Sequence, residues 1–247
     1  MTDLYADFST RYDLPYGLPE RPDPVMAEFF NRIFAEHHVK RVLDCACGTG
    51  RHLRLLHHLG YVAYGSDISP SMLTQAEKNL ADAGVSIPLR QADFRCLPDI
   101  YLERFDAVTC LGGIVYMQDD AQALKAFESM AGVLCEDGIL VLSAIPTDRQ
   151  WHEKPKFTLA ADTSSCTRIF AMDYFERTVR YNILDLLRYP GGSEMKVWSV
   201  EITPLLRDDQ ERLLKTAGYR QVDFFGGYDF SPYDKVTSNL MITVARK

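Results

Sequence analysis

From Val25 to Pro146 the chain alternates apolar runs of strand length with stretches of helical period, and this rhythm limits the fold more than any other feature. VMAEFFNRIFAEHH repeats apolar residues at helical spacing, and residues 39–46 then read as a buried strand. Residues 49–59 read as a helix and 61–67 as a second strand. Pro70 opens a helix expected to run through Ala83 and to close at Gly84, with proline at the start and glycine past the end. Strands are expected near 87–92, at 105–111 and at 138–145, with a helix over 120–134. Strands separated by helices of this length require a mostly parallel sheet covered on both faces.

After Pro146 the rhythm changes. Alternation at Val179, Tyr181, Ile183 and at Val197, Ser199, Glu201, around a Pro-Gly-Gly turn at 190–192, predicts an antiparallel hairpin or three-stranded addition within 166–203. A helix over 208–217, ended by Gly218, and strands near 221–225 and 240–245 return the chain to the main sheet. Residues 1–23, with tyrosines at 5, 12 and 16 ahead of Pro19, Pro22 and Pro24, read as a mobile arm or short helix rather than a core element. The expected organisation is an arm at 1–24, a main domain from 25–146 and 206–247, and an antiparallel insertion at 147–205 that acts as a lid and forms part of a ligand pocket.

VLDCACGTGRHL sets two cysteines and two glycines behind the first strand. A Cys-x-Cys pair with no second pair at ligand spacing cannot close a tetrahedral metal site, and the six histidines form no helical i, i+4 pair with an acid. No metal is expected. A phosphate-binding loop would need a lysine after Gly50, which is missing. What remains is a glycine turn joining strand to helix, where backbone can approach a ligand closely. Asp67 follows the second strand, 17 residues after Gly50, and Asp93 follows the third beside Phe94. Acids at successive strand C-termini, where open α/β sheets bind ligands, suit the hydroxyls of a nucleotide-like cofactor.

The series VLDCACGTG, YGSDIS, QADF and CLGG, in order along the whole chain, resembles the motifs of class I S-adenosylmethionine-dependent methyltransferases. The resemblance implies a Rossmann-like, doubly wound, mostly parallel seven-stranded α/β sheet with an antiparallel last hairpin. It implies S-adenosylmethionine as cofactor and S-adenosylhomocysteine as product. Asp44 would organise the loop near the ammonium of the methionine part, and Ala46, Cys47, Gly48 and Gly50 would let the cofactor lie close. Asp67 would take the ribose hydroxyls, Asp93 the adenine amino group, and Ile68 and Phe94 the adenine faces. Leu111 and Gly112 would pass alongside the methionine segment, with Met72, Ala92 and Tyr12 completing the cofactor site.

VTCLGGIVYM and the arm YADFSTRYD are similar to glycine/sarcosine-type and amino-sugar N-methyltransferases, which act on small molecules. The chain departs from the glycine-type pattern after CLGG, where Ile114 and Val115 stand in place of polar and aromatic positions. The expected reaction is direct in-line transfer to a small molecule, an amine in preference to a hydroxyl. An amine in its neutral form needs no obligatory base, whereas a hydroxyl does. The candidates for contact with the acceptor are Tyr12, Tyr116, His152, Arg168 and Tyr181.

Three rivals are weaker. An NAD-dependent oxidoreductase would want a third glycine where Leu53 stands. A protein that binds S-adenosylmethionine or its product without transferring methyl would carry the same cofactor motifs. Methylation of RNA or protein is disfavoured by a net charge of −7 and by the lack of an Asn/Asp-Pro-Pro-aromatic motif. Scattered cysteines, no basic and apolar leader and no apolar run of about 18 residues predict a reduced, cytoplasmic protein that neither binds nucleic acid nor crosses a membrane, as monomer or homodimer.

Overall fold

The computed structural model describes residues 5–17 and 23–247. Helix α1 (Pro24–Glu36) begins where the Asp23 carboxylate accepts the Val25 and Met26 amides at 2.8 and 3.0 Å, ahead of a proline pre-set for helix. The βα units then follow as β1 (Arg41–Asp44), α2 (Arg51–His58), β2 (Val62–Asp67), α3 (Pro70–Asp82), β3 (Leu89–Gln91), β4 (Phe105–Leu111), α4 (Asp120–Val133) and β5 (Leu134–Ala144). The Ser69 and Asp119 side chains cap α3 and α4. The chain closes with α6 (Arg207–Thr216), β10 (Gln221–Phe225) and β11 (Met241–Arg246).

The seven strands are ordered β10-β11-β5-β4-β1-β2-β3, with β11 antiparallel to both neighbours and the rest parallel. Successive residues of the central strands feed opposite faces. Leu43, Val108, Leu140 and Leu142 join the core under α4 and α6. Val42, Ala107, Ile139 and Val141 join the core under α1, α2 and α3. This two-sided burial explains why these strands read as continuous apolar runs. The expected doubly wound fold with its antiparallel last hairpin is present, and element ends fall within a few residues of expectation.

The insertion holds more elements than the sequence suggested. It holds a short helix, α5 (Asp148–Glu153), and a four-stranded antiparallel sheet of β6 (Phe157–Asp162), β7 (Cys166–Tyr174), β8 (Val179–Tyr189) and β9 (Gly192–Ile202). Helix α5 is too short for periodicity to show, although Thr147 and Gln150 form a capping box around its start. Strand β6 is mostly exposed and lacks the alternation that marked β8 and β9. One face of the sheet, through Met172, Val179, Val200 and Ile202, packs into the main core.

The arm differs most from expectation. Residues 5–17 fold over one 3₁₀ turn (Ser9–Arg11), and Phe8 and Arg11 are buried. Pro19 and Pro22 lie outside the described residues. Phe8 stacks on Trp198 of β9 at 4.7 Å and 6°, and Tyr5 meets the same indole at 5.0 Å. The Asp185 carboxylate accepts Arg11 at 2.6 Å and both Nε and Nη2 of Arg168, at 2.7 and 2.9 Å. Arg168 also donates to the carbonyls of Arg11 and Tyr12, both at 2.8 Å. Apolar stacking and a shared buried carboxylate therefore fix the arm, which composition alone gave no reason to expect.

The Asp185→Ala variant would leave two guanidiniums buried without their counter-ion, a loss of roughly 3–5 kcal/mol. Denaturant unfolding should record that loss, and limited proteolysis should cut the arm well before the main domain.

Candidate functional site

The strand order makes β1 and β4 neighbours, although the chain winds outward through β2 and β3 before returning to β4. The crevice at their C-termini is the topological switch point, the place where sheets of this kind hold ligands. Asp44 ends β1 there, in register with Thr109 of β4. Both Asp44 oxygens are fully buried and accept no hydrogen bond from the described residues, and among those residues the Thr109 and Ser66 hydroxyls are buried without partners as well. Burial pushes the Asp44 carboxyl up to about 7. The nearby Asp67 charge adds to the rise, while the Thr109 hydroxyl and Ala46 amide oppose it from outside hydrogen-bonding geometry. A buried acid in this condition is built to meet a cation supplied from elsewhere.

The loop after β1 is shaped by Gly48, at φ +52°, where an added Cβ would meet nothing nearer than the Met72 methyl at 3.8 Å. The Gly48 amide donates to Asp67 at 2.9 Å, and the Ser69 amide donates to the other oxygen at 2.9 Å. Asp67 is thus fixed at the end of β2 beside the glycine loop. On the far side, a Cβ on Gly113 would come within 2.6 Å of the Ala46 methyl and 3.5 Å of Phe94. The segment after β4, with Leu111 and Gly112, therefore closes tightly on the loop after β1.

Ala92, Asp93 and Phe94 follow β3 at the same edge, and half-exposed Ile68 follows β2. Arg95 grips the Asp93 carboxylate through Nε at 3.0 Å and Nη2 at 2.6 Å. Burial opposes ionisation here, but the Arg95 hydrogen bonds hold Asp93 below the usual carboxylate range. Asp13 of the arm accepts the Thr49 hydroxyl at 3.0 Å and the Asn79 amide at 3.1 Å. The arm thereby reaches from the second sheet to the glycine loop.

The candidates for acceptor contact divide into two groups. Tyr116 is the centre of a tyrosine cluster: Tyr5 meets it edge-on at 6.1 Å, and the hydroxyls of Tyr12 and Tyr181 lie within electrostatic range. Burial raises all four pKa values above that of free tyrosine, and the Asp67 charge adds to the rise at Tyr5 and Tyr116. Tyr12 keeps 38% of its surface exposed, although burial of its hydroxyl raises its pKa. Neutral hydroxyls and aromatic faces thus gather between the second sheet and the strand ends.

Arg168 and His152 fall outside the cluster's chemistry. Arg168 spends its donors on Asp185 and two arm carbonyls, so it is a clamp and not a reacting group. His152 is exposed on α5. Sequence reasoning missed Thr109, Ser66, Asp13 and Asn79, and it missed Tyr228. Burial pushes the Tyr228 hydroxyl up to about 12; Ser143 opposes the rise and the Asp44 charge adds to it. Tyr228 sits in a loop with no motif, and only its position after a strand C-terminus could have marked it. Among the described residues no group of three or more His, Cys, Asp and Glu could hold a metal ion.

Residues 42–138 match the family described as "Methyltransferase domain". Over 234 residues the chain is 31% identical to a glycine/sarcosine N-methyltransferase of Parasynechococcus marenigrum (strain WH8102), covering 92% of this chain and 79% of that one. The fold superposes on an S-adenosylmethionine-dependent methyltransferase from Clostridium acetobutylicum ATCC 824 with a TM-score of 0.80, at 20% identity and 98% coverage of both chains. It also superposes on the sugar N-methyltransferase KedS8 from Streptoalloteichus sp ATCC 53650 with a TM-score of 0.68, at 26% identity over 96% of this chain and 93% of that one.

The raised Asp44 pKa carries a sign that can be measured without any ligand. Its folded value of about 7 lies above the unfolded carboxylate value, so the folded protein holds a proton that the unfolded chain releases. Stability from this group is therefore lost as pH rises from about 4 to about 7, by up to ~4 kcal/mol. Asp44→Asn should raise the ligand-free Tm at pH 8, little at pH 5, and flatten the fall of Tm between them.

Proposed function

Because the chain belongs to the S-adenosylmethionine-dependent methyltransferases, the family of the glycine/sarcosine enzymes, we propose that it methylates a small-molecule amine held beneath the second sheet. S-adenosylmethionine is its cofactor, and when bound it supplies an activated methyl group and a thioether leaving group. The observation that carries the acceptor assignment is the cluster of neutral tyrosines around Tyr116, beside Asp67 and under the second sheet.

The buried, unpartnered Asp44 carboxylate fits the ammonium of the cofactor's amino-acid end, with Thr109 beside it. The open space over Gly48 fits close approach of that same segment, flanked by Leu111 and Gly112. Asp67 takes the ribose hydroxyls as charge-assisted hydrogen bonds. Asp93 takes the adenine amino group while Arg95 keeps it ionised, and Ile68 and Phe94 cover the ring faces. Cys47, Gly50, Met72, Ala92 and Tyr12 complete the walls.

The tyrosines supply what an amine needs. Their hydroxyls accept amine N–H bonds and so turn the lone pair, while their ring faces favour the positive charge that develops on nitrogen. The second sheet and the arm keep water from the reacting atoms. Among the described residues the carboxylates near the cluster, Asp67 and Asp13, are engaged by the Gly48 and Ser69 amides and by Thr49 and Asn79, which suits a neutral amine better than a hydroxyl. The 31% identity to a glycine/sarcosine enzyme and the likeness to a sugar N-methyltransferase support the same choice.

Asp67→Ala should weaken binding of S-adenosylmethionine by roughly 1.5–3 kcal/mol in titration calorimetry, with the circular dichroism spectrum retained. Unchanged affinity would remove Asp67 from the cofactor site.

The acceptor assignment is tested by release of S-adenosylhomocysteine in a panel of glycine, sarcosine, amino sugars and matched hydroxyl compounds. An amine should be the substrate. Tyr116→Phe and Tyr181→Phe should then raise its KM or lower kcat severalfold, with cofactor affinity changed by less than about 0.5 kcal/mol. Turnover of hydroxyl compounds alone would overturn the amine reading.

A further inference from the structure

Of the four described rings around Phe29, three are phenylalanines, Phe30, Phe225 and Phe230, and the fourth is Tyr228. Tyr228 stands edge-on to Phe29 at 5.4 Å and 81°, in the loop that follows β10. A phenylalanine would fill that place equally well, so the hydroxyl is the part that the ring cluster does not require. The loop is firmly built. Phe225 and Pro232 form a bridge across it, the Gly226 amide donates to the Ser231 carbonyl at 2.8 Å, and a Cβ on Gly226 would come within 2.7 Å of the Ser238 hydroxyl.

The Tyr228 hydroxyl lies beside Ser143 and within electrostatic range of Asp44. Strand alternation brings these groups to one side of the sheet. Val42 of β1, Ala107 of β4 and Val141 of β5 all face the core under α1, α2 and α3. Asp44, Thr109 and Ser143, each two residues further along, face the same way at the ends of the same neighbouring strands. Burial raises the Tyr228 pKa to about 12, so the group stays a neutral donor. Neither Asp44 oxygen accepts from it, and the Thr109 hydroxyl has no partner among the described residues. An acid and three hydroxyls are therefore gathered at one edge, and the acid is not bonded to them. Burial of such groups costs free energy until a ligand completes their hydrogen bonds.

We infer that the Tyr228 and Ser143 hydroxyls hold the carboxylate of the cofactor's amino-acid end, beside the ammonium that Asp44 takes; the inference rests on that proposed seat of the ammonium. A zwitterionic end needs an acid for one group and donors for the other, and this edge carries both within one face of the sheet. A neutral hydroxyl that donates to a carboxylate makes a charge-assisted hydrogen bond without burying a second protein charge. The packed loop holds the Tyr228 donor in place before the cofactor arrives, so little ordering cost falls on binding. Tyr228 is thus a cofactor-binding residue supplied by the loop between β10 and β11, far in sequence from the glycine turn.

The test is titration calorimetry of the full chain with S-adenosylmethionine, with its decarboxylated form, which keeps the ammonium, and with 5′-methylthioadenosine, which has neither group. Tyr228→Phe keeps the ring contacts and should weaken S-adenosylmethionine about tenfold while changing the other two ligands by less than about twofold. Should Tyr228→Phe not fold, Ser143→Ala is read in the same way. Asp44→Asn, run beside them, should weaken both ligands that carry an ammonium and spare 5′-methylthioadenosine. If Asp44→Asn weakens neither, the ammonium seat fails and the inference falls with it. If Asp44→Asn behaves as expected and Tyr228→Phe leaves S-adenosylmethionine unchanged, or weakens all three ligands alike, the inference alone is overturned.

Discussion

A carboxylate with no hydrogen-bond partner among the described residues, buried at the point where the sheet reverses its winding, sets the terms for the rest of this molecule. Asp44 lies at the β1/β4 crevice, and the cost of keeping it charged there falls on the fold until a cation arrives. The parallel strands on either side keep that crevice rigid because both of their faces are packed. The glycine loop that follows the acid is fixed by the Gly48–Asp67 hydrogen bond. On the proposed reading, instability at one residue is thus tied to binding.

The arm and the second sheet complete the site through a different set of forces. Asp185 is shared by an arginine of the arm and an arginine of β7, so the position of one depends on the other. Phe8 and Tyr5 flank the Trp198 indole, and Asp13 reaches the glycine loop. Cofactor loop, arm and second sheet are therefore linked in one chain of contacts. Tyr5 and Tyr12 belong to the arm, Tyr116 to the segment after β4, and Tyr181 to the second sheet. The tyrosine cluster exists only when all three come together.

The parts legible in the sequence are those governed by local periodicity. Strand β4 begins and ends where its apolar run does, and α3 is bracketed by Ser69, Pro70 and Gly84, whose chemistry is local. The acids at the ends of β1, β2 and β3 were legible because a strand C-terminus can be located from the strand itself. Arg168 misled because a lone arginine in a strand does not reveal its counter-ion, which lies 17 residues away on a neighbouring strand. Phe8 and Trp198 are 190 residues apart in the chain, and nothing near either residue announces their stacking. The burial of the arm is long-range packing, and composition averages it away.

The same distinction separates the two ends of the site. On the proposed reading, cofactor recognition would rest on backbone geometry at strand ends, where a glycine turn and three acids occupy positions that the fold dictates. Acceptor recognition would rest on side chains brought from three distant segments, each individually ordinary. On that reading a substitution at Tyr181 reshapes the acceptor space at a distance from Gly48 and Asp67, which are joined to each other and to Ser69 by backbone donors. Asp13 is the exception: it joins the arm to Thr49 and Asn79, and through it the arm's position and the glycine loop's position are held in common. On that reading coupling between acceptor and cofactor would run along the arm through Asp13.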